Sequence, residues 1–306
     1  MAAAMIDTER EYHLWIGGEP VKASNGTYEI INPATEELVG LAPEASADDA
    51  RAAAESAAAA FPAWSQTTPE ERAALLNRAA DLLTEHYAEF VPLVQAETGS
   101  TLPMAQIAQV GGTIARIRRF AKGALEPLDT AFMPVPNMGG GPHTTTGGVF
   151  NAAAVRLPVG VVACIKAYNV PMNNIMGTLG PALATGNTVV VKPAGQDPLA
   201  VIRLVELFNE AGFPPGVVNL IVGSGADASQ ALVASPQVDM VSFTGSTEVG
   251  LRIAEAAGRD LKRVLMELGG KGPAWSSRAP ISMPPPRAPP APSPTTPARS
   301  APPRPG

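Results

Sequence analysis

The chain has 306 residues, 45% of them hydrophobic and 16% charged, which allows one large domain or two ordinary ones around a sizeable core. A formal net charge of -6 argues against a nucleic-acid or anionic-membrane partner, and no apolar run approaches the roughly 18 residues of a membrane span. One cysteine, Cys164, excludes an internal disulfide. With only three scattered histidines no metal cluster is expected, and without a visible secretory signal the expected location is the cytoplasm.

Near the start, HLWIGGEPV and TYEIINP alternate around glycine and asparagine and predict a small hairpin or meander. Two capped helices follow. Ser46 precedes Asp48 and Asp49, and Thr68 precedes Pro69, Glu70 and Glu71, which places Pro at N1 and Glu at N3. In the second helix Ala74, Leu75, Ala79, Leu82 and Leu83 make an apolar stripe. A further helix is predicted from about Pro103 to Lys122. Residues Pro134 to Gly148 read as a loop, and VFNAAAVRLP as a short extended segment.

From Val159 the rhythm changes. VGVVACIKAYN, TVVVK, VVNLIV, VDMVSFTG and KRVLMEL are strand-like, and helical stretches separate them. Strands alternating with helices predict βαβ units: an α/β fold with a Rossmann-like, mostly parallel sheet and flanking helices. Such sheets bind ligands at the carboxyl ends of their strands.

Three of these strand ends carry chemistry. Asn169 follows the first, where its amide hydrogens could meet a developing oxyanion; equally, Asn before a turn is a common structural residue. Lys192 ends the second, either as a solvated loop end or as a ribose or phosphate contact. Gly245 and Ser246 end a strand and open a helix, so free N–H groups and the helix dipole favour a pyrophosphate there. An ordinary β-to-α turn has the same sequence signature. The stretch Gly223 to Ala228 spells G-x-G-x-x-A, but it follows the third strand and no acid stands about 20 residues on at a strand end, so it reads as turn chemistry. Glu267 closes the last strand beside two glycines. Partial burial would raise its pKa toward the value that suits a general base; a capping or salt-bridged acid is the alternative.

Taken together, LPVGVVACIKAYNVP, PALATGNTVVVKPAGQDPL, GVVNLIVGSG, VSFTGSTEVG and MELGGK resemble the aldehyde dehydrogenase superfamily, and INPATEELVG fits it too. The resemblance covers about residues 10–273 and implies NAD or NADP as cofactor and an aldehyde as substrate. It places Ile165 against the nicotinamide half, Lys192 at the adenine ribose and Gly225 on the adenine side. Phe243, Gly245, Ser246 and Val249 form the pyrophosphate and adenine wall. Leu268 adds a backbone contact near the nicotinamide, Asn169 an oxyanion donor, and Glu267 activates water. In the implied reaction a cysteine thiolate attacks the aldehyde, and the resulting thioester is hydrolysed to the acid.

The chain departs from that pattern in several places. Ala194 and Gly195 stand where the family has an acid for the ribose hydroxyls, which opens the site to NADP as well as NAD. Tyr168 and Val170 flank Asn169 where Trp and Phe are frequent, and Lys166 is unusual. Cys164 sits mid-strand, where a small core residue is expected rather than a nucleophile. The family's nucleophilic cysteine belongs to a catalytic domain beyond the Glu. Here residues 272–306 stand in its place, with 13 of the 32 prolines, four Arg and no Asp, Glu or Lys.

That tail predicts disorder, because each proline removes a donor and little apolar surface offsets the ordering entropy. The expected organisation is therefore a dinucleotide-binding domain over 1–271, a tail from an altered frame or a misjoined end, and no catalytic-cysteine domain. Residues 143–157 resemble a strand of the family's oligomerisation element and imply a homo-oligomer. A non-catalytic dinucleotide-binding or oligomerising module is the alternative function.

Overall fold

Strand β1 (Leu14–Ile16) turns back into β2 (Glu19–Val21) through Gly17 and Gly18, both at positive φ. Left-handed backbone at both central positions matches the strand twist, and glycine adopts it without a Cβ penalty. The computed structural model describes residues 7–137 and 148–272. Strands β3 (Thr27–Ile31) and β4 (Leu38–Pro43) form a second antiparallel hairpin, so the small hairpin or meander of the sequence reading is realised as two.

Helices α1 (Ala47–Trp64) and α2 (Pro69–Glu85) both open with capping boxes. Ser46 Oγ accepts from Asp49 N at 3.1 Å while the Asp49 carboxylate accepts from Ser46 N at 2.8 Å. Thr68 and Glu71 repeat the exchange at 3.2 and 2.7 Å. Each box satisfies two backbone donors at a helix start. The buried stripe of α2 is Ala73, Leu76, Ala79, Ala80 and Leu83. Ala74 is exposed, and Leu75 and Leu82 are half-buried, which corrects the stripe read from spacing. Helix α3 (Tyr87–Thr98) has no counterpart in the sequence reading, since Pro92 interrupts its pattern. The helix expected from Pro103 is a π-helical run, Met104–Gly111, that continues into α4 (Gly112–Ala124). Helix α2 packs on α4, and that neighbour selects its buried face.

Two short ladders follow. Strand β5 (Thr130–Ala131) pairs with β8 (Ala153–Ala154), and β6 (Val135–Asn137) with β7 (Gly148–Phe150). The expected loop thus carries a strand at each end. The segment 143–157 lies partly outside the described residues, and its described part holds β7 and β8. The tail predicted to be disordered lies outside the described residues beyond Gly272.

The rest is one alternation: β9 (Val161–Ile165), α5 (Pro171–Ala184), β10 (Thr188–Lys192), α6 (Leu199–Glu210), β11 (Val218–Leu220), α7 (Asp227–Ala234), β12 (Met240–Gly245), α8 (Thr247–Arg259) and β13 (Arg263–Leu268). The sheet runs β13-β12-β9-β10-β11-β1-β2. Strands β9 to β13 are parallel, and β1 joins β11 antiparallel. Every residue of β9 and β10 is buried, because helices cover both faces there. The α/β, mostly parallel fold is therefore as expected. The chain builds from β9 outward to β11, then returns to β12. Strand order reverses between β9 and β12, and this is where a doubly wound sheet opens a crevice at its carboxyl edge.

A buried acidic pair holds the loop after β10. Glu97 of α3 accepts from the N–H of Leu199 at 2.7 Å and of Ala200 at 3.0 Å, capping α6 from a distant helix. Asp197 is buried nearby, with Oδ1 unpartnered among the described residues. Burial pushes both carboxyls above the usual range, and the Glu97 charge pushes Asp197 further. The folded state thus keeps protons that the unfolded chain releases above about pH 4. This contribution to stability is full below that pH and declines as pH rises toward neutrality. The urea midpoint of Asp197→Asn is expected to fall less steeply than that of the wild type between about pH 5 and about pH 7.5. Parallel slopes would show that the pair is not linked to folding.

Candidate cofactor and active site

Register and alternation sort the strand-end side chains onto two faces. Cys164 Sγ donates to the Ile175 carbonyl of α5 at 3.8 Å, so this residue and others of its parity face α5. Ser242 is paired with Cys164, and Thr244 with Glu267, on that same face. Lys166 reaches along it: Nζ donates to Ser242 Oγ at 2.7 Å and Thr244 Oγ1 at 3.3 Å, and Thr178 of α5 contacts Ser242 at 2.8 Å.

The other face carries Ile165, Lys192 and Phe243, which are register partners, and Leu268, which is paired with Gly245. Thr188 Oγ1 donates to Ala57 O at 2.9 Å, marking this as the side of α1. Helix α8 also lies on it. A Cβ on Gly250 would come 2.5 Å from Leu268 Cδ2, so a glycine is needed for α8 to sit this close to β13.

On the α8 face, Ile165 and Phe243 are buried beneath the carboxyl edge, while Val249 and Leu268 are exposed. Ser246 is the N-cap of α8, with Oγ accepting from Val249 N at 3.3 Å. Lys192 is buried, and its Nζ donates to the carbonyls of Pro193 at 3.2 Å and Gly223 at 2.9 Å. Burial lowers its pKa to about 8, against the pull of Glu44. An ammonium whose hydrogen-bond partners among the described residues are all neutral carbonyls suits an anionic ligand. The donor set thus fits the dinucleotide that the sequence reading placed here.

Glu44, which the sequence reading missed, completes this corner. Its carboxylate accepts from Ser224 Oγ at 2.6 Å, from Ser224 N at 3.0 and 3.1 Å, and from Gly225 N at 3.4 Å. Burial alone would raise this carboxyl. The hydrogen bonds from Ser224 and Gly225, with the Lys192 charge, hold it below its usual value. Nothing local in APEAS announces this role, since the partners lie 180 residues away. The Gly223–Ala228 stretch is the turn into α7.

On the α5 face, Asn169 is exposed in the loop before α5, and Asn174 Nδ2 donates to its Oδ1 at 2.7 Å. That bond leaves the amide hydrogens of Asn169 as its remaining donors. Glu267 projects from the same side of the sheet. It is exposed, which corrects the partial burial envisaged from the sequence: β13 is the outer strand, and no described element lies beyond it. Lys166 is buried, and burial lowers its pKa while the Cys164 thiol and the Glu267 carboxylate act in the opposite direction. Cys164 is fully buried, and burial pushes its thiol up to about 11. It is a core residue, as expected.

A model of the aldehyde dehydrogenase family matches residues 21–275. The phenylacetaldehyde dehydrogenase of Pseudomonas fluorescens is 41% identical over 269 residues, covering 86% of this chain and 52% of that protein. Aldehyde dehydrogenase 1A1 of Oryctolagus cuniculus is 38% identical over 254 residues, covering 82% and 49%. Among solved structures, the NAD+ complex of aldehyde dehydrogenase from Bacillus cereus superposes with a TM-score of 0.78 at 36% identity, covering 86% of this chain and 52% of that one. The chain spans about half the length of the relatives it matches. The family model covers most of the chain, and the chain belongs to the aldehyde dehydrogenase family.

Proposed function

We propose that this chain binds NAD or NADP across the carboxyl ends of β9 to β12 and presents it to an aldehyde in the manner of an aldehyde dehydrogenase. The observation that carries the reading is the sorting of side chains at the switch point. Ile165, Lys192, Phe243 and Leu268 share the α8 face, and Asn169 and Glu267 share the α5 side. Lys192 and the first turn of α8 hold the phosphates and ribose, with Gly225 and Val249 beside the adenine. A bound nicotinamide supplies hydride acceptance. The Asn169 amide would donate to the aldehyde oxygen, and Glu267 would take a proton from water, only once a thiolate other than that of Cys164 had added to the carbonyl. Cys164 is not the thiolate of this reaction, being fully buried behind α5 and protonated at neutral pH.

Isothermal calorimetry of the 306-residue chain tests the proposal. Saturable binding of NAD or NADP is expected, with no aldehyde-dependent NAD(P)H formation, since Cys164 is the only cysteine. Absence of binding would overturn the reading, and robust turnover would overturn the assignment of Cys164. A second reading, self-association, is supported by the apolar exposure of Phe132, Met133, Val149, Phe150 and Leu157 around the β5–β8 and β6–β7 ladders. Sedimentation of the same preparation would then show an oligomer, and a monomer at micromolar concentration would remove this reading.

A further inference from the structure

The adenosine corner of the site contains an acid, and it comes from the N-terminal hairpin. Gly195, which stands in the region of the family's ribose acid, has no room for a side chain. A Cβ there would lie 2.8 Å from Ser224 Cα and 3.1 Å from Gly223 O. The loop after β11 therefore closes directly on the loop after β10. Glu44 packs against the same loop: a Cβ on Gly223 would lie 2.9 Å from Glu44 Oε1.

Its backbone is fixed on both flanks. Glu44 N donates to Gly26 O at 2.9 Å, Asn25 N donates to Glu44 O at 3.2 Å, and Ala45 N donates to Val222 O at 2.7 Å. The side chain is anchored by Ser224 and Gly225. Lys192 Nζ donates to Gly223 O of the same loop. One fixed carboxylate and one fixed ammonium thus hold Gly223–Gly225.

We propose that Glu44 is the residue that selects the cofactor, favouring NAD by opposing the 2′-phosphate of NADP. The inference rests on the proposed dinucleotide site and adds a residue to it. A 2′-phosphate brings a charge of about −1.5 to −2 to a corner that already holds a carboxylate. The Lys192 ammonium cannot neutralise both. Held by hydrogen bonds that favour its charged form, Glu44 stays ionised at neutral pH and cannot swing away without stripping the loop of its acceptor. An uncharged 2′-hydroxyl meets no such opposition.

The test is calorimetry of NAD and NADP binding to the full chain and to two variants, with thermal unfolding as a check on folding. The wild type is expected to prefer NAD. Glu44→Gln keeps an acceptor for the loop N–H groups and removes the charge, so the ratio of the two affinities should move about tenfold toward NADP. Glu44→Ala removes acceptor and charge together; both cofactors weaken, and the ratio still moves toward NADP. A ratio unchanged in both variants overturns the role of Glu44, as does a wild type that prefers NADP. Binding of neither cofactor to the wild type overturns the dinucleotide site itself, a result distinct from an unchanged ratio.

Discussion

Gly160→Ala is expected to destabilise the chain by about 3 kcal/mol or more, read as a lower urea midpoint at unchanged slope. Gly160 precedes β9 at φ +131°, a conformation that L side chains rarely adopt. A Cβ there would lie 1.9 Å from Asp239 Oδ2 and 2.5 Å from Asp239 Cγ. That carboxylate is not free to move. Asp239 Oδ2 accepts from Val161 N at 2.8 Å, Asp239 N donates to Val161 O at 3.0 Å, and Arg263 N donates to Asp239 O at 3.0 Å. Asp239 thus ties together the starts of β9, β12 and β13, and a methyl group would push against all three. Backbone strain and steric overlap add. A loss of under about 1 kcal/mol would mean that this end of the sheet is far softer than its hydrogen bonds imply.

Lys192→Ala should weaken NAD or NADP binding by a factor of tens, because charge-assisted hydrogen bonds each contribute about 1.5–3 kcal/mol. The protein should still fold, since only two carbonyl contacts and one buried stem are lost. A pH signature accompanies this prediction. Burial lowers Lys192 to about 8, so its ammonium form is lost as pH rises through that value. Wild-type affinity should fall over the same range, and the Lys192→Ala variant should show no such step. A dissociation constant unchanged by the substitution would remove Lys192 from the site.

Much of the fold was readable in the sequence because its signals are local. The Ser46 and Thr68 caps are one-turn features, and both form as read. The Val-rich runs of β9 and β10 announce strands covered on both faces. Helix α3 was hidden by Pro92, and the stripe on α2 was misplaced by one residue. Spacing alone does not say which of two adjacent faces a neighbour will cover.

The site divides in the same way. Lys192, Gly245 and Ser246 were singled out because strand ends in an alternating βα pattern must gather at one edge of a parallel sheet, whereas Ile165, Phe243 and Leu268 came only with the family resemblance. Glu44 was not, since its partners come from the far end of the chain. Lys166 was visible only as an oddity. Its pairing with Ser242 and Thr244, on the side of Glu267 rather than of Lys192, depends on which strand became the neighbour of β9.

By itself, then, the sequence determined the alternation of elements from β9 onward, the caps of α1 and α2, the family and the residues available at each strand end. Only the tertiary structure decided the rest. It put β12 beside β9, split the strand-end side chains between two faces, left Glu267 exposed on an outer strand and brought the Glu44 carboxylate to the loop after β11. The physical reason is range. Caps and periodicity act within a turn or two of chain, whereas strand order and distant hydrogen bonds are settled by which surfaces bury one another once the core closes.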